Sequence, residues 1–145
     1  MTAQAHPAIT GRCYCGKMRF EAQTLPSIVS YCHCSDCRRV SGAPVAAFAA
    51  FDHKDLQFTP APGPPVSHHP GVTRWFCKEC GSPLAAQFDY LPGQTYVPLG
   101  LIDQAAELPP TLHSHAQSQL PWLHISDDLA QLSGSARASL QAKKP

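Results

Sequence analysis

The sequence predicts a sheet-and-loop protein, on three observations. Fifteen of 145 residues are proline, about twice the usual share, and proline breaks helix interiors. Charged residues make up 14% against about a quarter in an average domain, too few for a helical bundle with solvated faces. Short β-rich runs also follow one another between turn residues. At this length, with 43% hydrophobic residues, the chain suits one domain with a modest core and is too short for two independent enzyme domains.

Taken in order, Lys17 to Gln23 alternates, with Met18 and Phe20 on one face and Arg19 and Glu21 on the other, as a half-buried strand does. Ser27 to Tyr31 is a second strand and leads into Cys32-His33-Cys34-Ser35-Asp36-Cys37. Ser35-Asp36 is suited to cap a short helix through Val40, which Gly42-Ala43-Pro44 ends. Val45 to Phe51 and Leu56 to Thr59 read as strands. Pro60 to Gly71, with five prolines and two glycines, reads as an irregular loop. Strands follow at Val72 to Phe76, Pro83 to Phe88 and Thr95 to Ile102. Asp127-Asp128 can start a last helical turn, and Ser133 to Pro145 is small, polar and prone to fray.

The seven cysteines divide as four plus three. Cys13-Tyr14-Cys15-Gly16 and Cys77-Lys78-Glu79-Cys80-Gly81 are two pairs whose four thiolates fit a closed tetrahedral zinc site, each pair ending in a glycine that admits a positive φ. In Cys32, Cys34 and Cys37 the spacing C-x-C-x-x-C brings three thiolates to one point and leaves a fourth position for water, substrate or another ligand. His33 lies between two of them. His53, His68, His69 and His113 are candidates for the fourth ligand.

A formal net charge of +1 and no basic run argue against bulk attraction to nucleic acid or a membrane surface. The longest apolar stretch, around Ala43 to Phe51, is far short of a membrane span, and Met1 to Thr10 lacks the pattern of a secretory signal. An odd number of cysteines in closely spaced groups suits metal thiolates in a reducing compartment, hence a cytoplasmic expectation.

Gly11-Arg12-Cys13-Tyr14-Cys15-Gly16 with Phe20, Cys32 to Arg38 with Ser41-Gly42-Ala43-Pro44, and Arg74 to Leu84 around Cys77 and Cys80 together resemble the GFA family. That family takes its name from the glutathione-dependent formaldehyde-activating enzyme, and its domain also occurs in centromere protein V. The resemblance implies an all-β, Mss4-like small sandwich or sheet fold with short helical turns, built around two zinc ions. Residues 10–132 would form the zinc domain, 1–9 an N-terminal extension and 133–145 a flexible tail. Carried over by block, Cys13, Cys15, Cys77 and Cys80 would hold a structural zinc and Cys32, Cys34 and Cys37 a catalytic one. The implied activity is that of a carbon–sulfur lyase or adduct-forming enzyme on a small thiol such as glutathione or its adduct.

Arg38 and Arg39 directly follow the cysteines and either pair with a substrate carboxylate or form a solvated helix face. His115 and Trp122 stand where the family carries a histidine and a tryptophan, as candidates for substrate binding, although the stretch between them departs from the family pattern. Trp122 is better suited to the core than to a pocket, since large aromatics dominate small cores. Two other readings compete with the enzyme: a non-catalytic zinc module that binds a protein, and a thiol-based redox or metal sensor.

Overall fold

The computed structural model describes residues 8–142. Its strands are β1 (Ile9–Arg12), β2 (Arg19–Ala22), β3 (Ile28–Cys32), β4 (Ala46–Asp52), β5 (Leu56–Thr59), β6 (Val72–Phe76), β7 (Pro83–Phe88), β8 (Gln94–Pro98), β9 (Leu112–Ser114) and β10 (Ala130–Gln131). Two short helices, α1 (Ser35–Ser41) and α2 (Arg137–Ala142), and four 3-10 turns complete it. The fold is all-β. One sheet has the order β1-β2-β5 and the other β10-β9-β3-β4-β8-β7-β6.

The alternation expected around Met18 and Phe20 is present: in β2 Phe20 and Ala22 are buried while Arg19 and Glu21 are exposed. The buried face meets Val29, Ala49, Phe51 and Val97 from the larger sheet, with Ile9 and Ile102 filling the rim. Gly11 of β1 lies directly across from Phe20, whose ring occupies the space a Cβ would need. A second apolar group lies across the larger sheet, where Ile28, Leu91, Tyr96 and Leu112 pack with Ala136 and Leu140. Of the stretch read as a tail, α2 thus lies against the sheet. Residues 1–7 of the expected N-terminal extension, and 143–145, fall outside the described residues.

Two local expectations change. The strand expected over Thr95 to Ile102 ends at Pro98, and Leu99–Leu101 turns into a 3-10 helix, because proline has no N–H with which to continue the ladder. Asp127-Asp128 starts no helix. Asp127 instead accepts the Leu129 N–H at 3.0 Å in an Asx turn, and the chain then forms β10 alongside β9.

Candidate metal centres and cavity

The end of β1 and the hairpin between β6 and β7 bring four sulfurs together. Cys13, Cys15, Cys77 and Cys80 lie with their sulfurs within 4.8 Å of one another. Both turns close with a glycine at φ 80°: Gly16 N–H donates to Cys13 O at 3.0 Å and Gly81 N–H to Cys77 O at 2.7 Å. Backbone amides also point at sulfur, Met18 N–H to Cys13 Sγ at 3.3 Å and Lys17 N–H to Cys15 Sγ at 3.4 Å. The Ser82 hydroxyl and amide hold the Cys80 thiol down at about 5. Met18, Leu84 and Ala85 pack beneath the group.

The second group begins at the last residue of β3. Cys32, Cys34 and Cys37 have sulfurs within 4.8 Å of one another, and no histidine joins them among the described residues. Cys34 takes the cap position of α1 that the sequence suggested for Ser35-Asp36: its Sγ accepts the Cys37 N–H at 3.3 Å. A thiolate competes for that place because it too is a short side chain with a free lone pair. Gly42 ends the helix at φ 69°.

The donor sets fit a thiophilic metal. A tetrahedron with metal–sulfur bonds of about 2.3 Å has edges of roughly 3.8 Å. Sulfur separations are 3.6 and 3.8 Å in the four-cysteine group and 3.6 and 3.2 Å in the three-cysteine group. The charge distribution agrees. Hydrogen bonding from Cys32 and Cys37 drops the Cys34 thiol to about 2, while Cys32 and Cys34 push Cys37 strongly upward. A cation among three crowded thiols would offset the mutual repulsion that sets their proton affinities apart.

The three sulfurs line one side of a cavity of about 120 Å³. Phe48, Phe88 and Tyr96 form apolar walls, and Ala136 and Leu140 of the C-terminal segment form another. Arg74, Tyr90 and His115 add polar groups. Among the described residues, no carboxylate forms an ion pair with Arg74.

The substrate candidates from the sequence separate here. His115 lines the cavity, and its backbone has the strained φ of 53°. Arg38 points elsewhere. Its Nη1 donates to the carbonyls of His33 at 2.9 Å and Ser118 at 2.6 Å, tying α1 to the segment after β9. Trp122 is 64% exposed and belongs to neither core nor cavity wall. Nothing local in the sequence marks Arg74 as a cavity residue, because it lies far along the chain from Cys32 and only the pairing of β6 into the larger sheet brings it there.

Of the histidines, His69 lines the cavity, His68 packs edge-on against it, and His33 and His113 bond to each other in the interior. Burial, then the neighbouring His113 and Arg38, lower the His33 imidazole's affinity for a proton. No helix is long and apolar enough to cross a membrane among the described residues.

Comparison with known proteins agrees with this architecture. No curated protein matches the chain. A crystal structure of a Rhodobacter sphaeroides protein, determined by structural genomics, is 28% identical with a TM-score of 0.50, covering 65% of this chain and 87% of that one. The family described as "Glutathione-dependent formaldehyde-activating enzyme" matches residues 8–118, which include all seven cysteines. The chain therefore belongs to the glutathione-dependent formaldehyde-activating enzyme family.

Proposed function

We propose that the chain is a zinc-dependent carbon–sulfur lyase and adduct-forming enzyme acting on a small thiol conjugate, with glutathione or its hydroxymethyl adduct as the type of substrate its family name implies. The observation that carries this reading is the contrast between the two cysteine groups. Four sulfurs make a complete coordination set bedded on core residues, whereas three, with no histidine joining them among the described residues, face a cavity. A zinc ion held by Cys32, Cys34 and Cys37 would supply a soft Lewis acid with one position free for a substrate thiolate.

The chain's own residues would do the rest. Arg74, which no carboxylate among the described residues pairs with, offers its guanidinium to an anionic arm of the thiol compound. Phe48, Phe88 and Tyr96 keep water from the reacting sulfur and carbon. In the addition direction the thiol sulfur bonds to the carbonyl carbon, the carbonyl π bond opens, and the thiol proton ends on the new hydroxyl oxygen. No electrons are exchanged with a third party. The reverse reaction breaks the carbon–sulfur bond and returns the proton to sulfur. Reduced thiolates are required throughout, which fits a reducing compartment such as the cytoplasm.

The test is the rate of adduct formation from thiol and formaldehyde, above the uncatalysed background, for the native protein and Cys34→Ser. Loss of the excess rate in the variant is expected; equal excess rates would sink the catalytic reading. A second reading, a thiol sensor, rests on the 3.2 Å between Cys37 Sγ and Cys32 Sγ. Peroxide would oxidise that pair to a disulfide while itself reduced to water. Titrating free thiols in metal-stripped protein before and after peroxide tests it, and no loss of a thiol pair would remove it.

A further inference from the structure

His33 and His113 are buried, at 0% and 1% exposure, and neither faces the cavity. They come from strand positions and turns eighty residues apart and meet through one hydrogen bond, His33 Nε2 to His113 Nδ1, at 2.8 Å. The other nitrogen of His113, Nε2, lies 3.0 Å from Asp127 Oδ2. Asp127 sits in the Asx turn before β10. Tyr31 stacks on the His113 ring at 4.7 Å and 19°, which leaves that ring little room to turn.

The direction of these bonds is constrained. A carboxylate only accepts, so His113 Nε2 carries a proton; with a neutral ring its Nδ1 is then a lone pair, and His33 Nε2–H must donate to it. His33 Nδ1 has no hydrogen-bond partner among the described residues. The backbone of residue 33 is held as well. His33 N–H donates to Ser114 O at 3.0 Å, and Arg38 Nη1 donates to His33 O at 2.9 Å. Next to His113, the Ser114 hydroxyl donates to Cys32 Sγ at 3.6 Å.

We infer that Asp127, His113 and His33 form a positioning chain for the three-cysteine centre: it pins the single residue between Cys32 and Cys34 into the core, so that both sulfurs turn to the cavity and the intervening imidazole stays out of the coordination sphere. The inference rests on the reading of Cys32, Cys34 and Cys37 as a metal centre. None of the three residues touches the cavity, so they are positioning residues rather than catalytic ones. Partners of this kind behind metal ligands commonly change metal affinity 10–100-fold when removed.

Two substitutions at residue 113 separate hydrogen bonding from packing. His113→Phe keeps a ring under Tyr31 and removes the acceptor for His33. His113→Asn places an amide oxygen near the former Nδ1 and keeps that acceptor. The measurement uses full-length protein with one equivalent of zinc already bound and titrates cobalt into the remaining centre, following thiolate-to-cobalt charge-transfer absorption and chelator competition. His113→Phe is expected to bind cobalt at least about tenfold more weakly, with a shifted band, and His113→Asn to lie within about threefold of the native protein. Native affinity and spectrum in His113→Phe, or equal losses in both variants, would overturn the chain. If His113→Phe does not fold, Asp127→Ala decides: a weakened centre supports the inference, and native behaviour overturns it. Failure of the native protein to take a second metal would instead remove the metal reading itself.

Discussion

Cys34 caps the helix that carries Cys37, its Sγ accepting the Cys37 N–H at 3.3 Å. The two functions of Cys34 can be separated. Serine keeps a hydrogen-bond acceptor suited to the cap, while alanine keeps neither cap nor ligand. Cys34→Ser should therefore lose the second metal equivalent with little change in its urea midpoint measured after metal removal. Cys34→Ala should lose about 1 kcal/mol more under the same conditions. Indistinguishable midpoints would show that the cap contributes nothing.

The four-cysteine group joins the end of β1 to the β6–β7 hairpin, closing a loop of some sixty residues. A metal held there would be coupled to folding. Cys77→Ser should cost on the order of 3 kcal/mol or more, and a strong chelator should destabilise the native protein similarly. Unchanged denaturation curves with and without chelator would argue that these thiols fold the domain unaided.

Gly11 faces Phe20 so closely that a Cβ would overlap the ring and crowd the Leu101 carbonyl. Neither neighbour is a flexible side-chain end. Gly11→Ala should destabilise by about 1–3 kcal/mol, read from chemical denaturation, with both metal equivalents retained in the folded fraction.

Arg74→Gln removes a guanidinium that lines the cavity while keeping polar character. KM for a carboxylate-bearing thiol such as glutathione should rise about tenfold, and that for 2-mercaptoethanol should hardly move. Equal changes for charged and neutral thiols would point to altered cavity shape instead.

Asp127 gives a defined acid response. The His113 hydrogen bond, then the Leu129 N–H, lower its carboxyl pKa. A lowered folded value contributes stability that is full above the unfolded value of about 3.9 and is lost as pH falls through the folded one. Asp127→Asn should flatten that part of the acid limb, as thermal unfolding across acidic pH would record.

What the sequence made legible follows from how local each signal was. The division of the cysteines could be read directly, because ligands one or two residues apart impose their own spacing and each pair ends in the glycine its turn requires. The β2 alternation could be read because Phe20 and Ala22 meet one core. Arg38 adjoins Cys37 in sequence, which makes it a substrate candidate, yet two backbone carbonyls claim its guanidinium. Arg74, Tyr90 and the His33–His113 bond depend on strand order, for which adjacent residues carry no signal. Ala136 and Leu140 stand in a small, polar stretch whose burial is decided by the sheet it meets.

That last contact bears on how the protein is made. The wall formed by Ala136 and Leu140 is synthesised roughly sixty residues after Cys80. At about 5–20 residues per second, translation leaves several seconds in which every sulfur has been made and the far side of the cavity has not. The nascent chain can thus meet metal through an opening that the mature protein has narrowed.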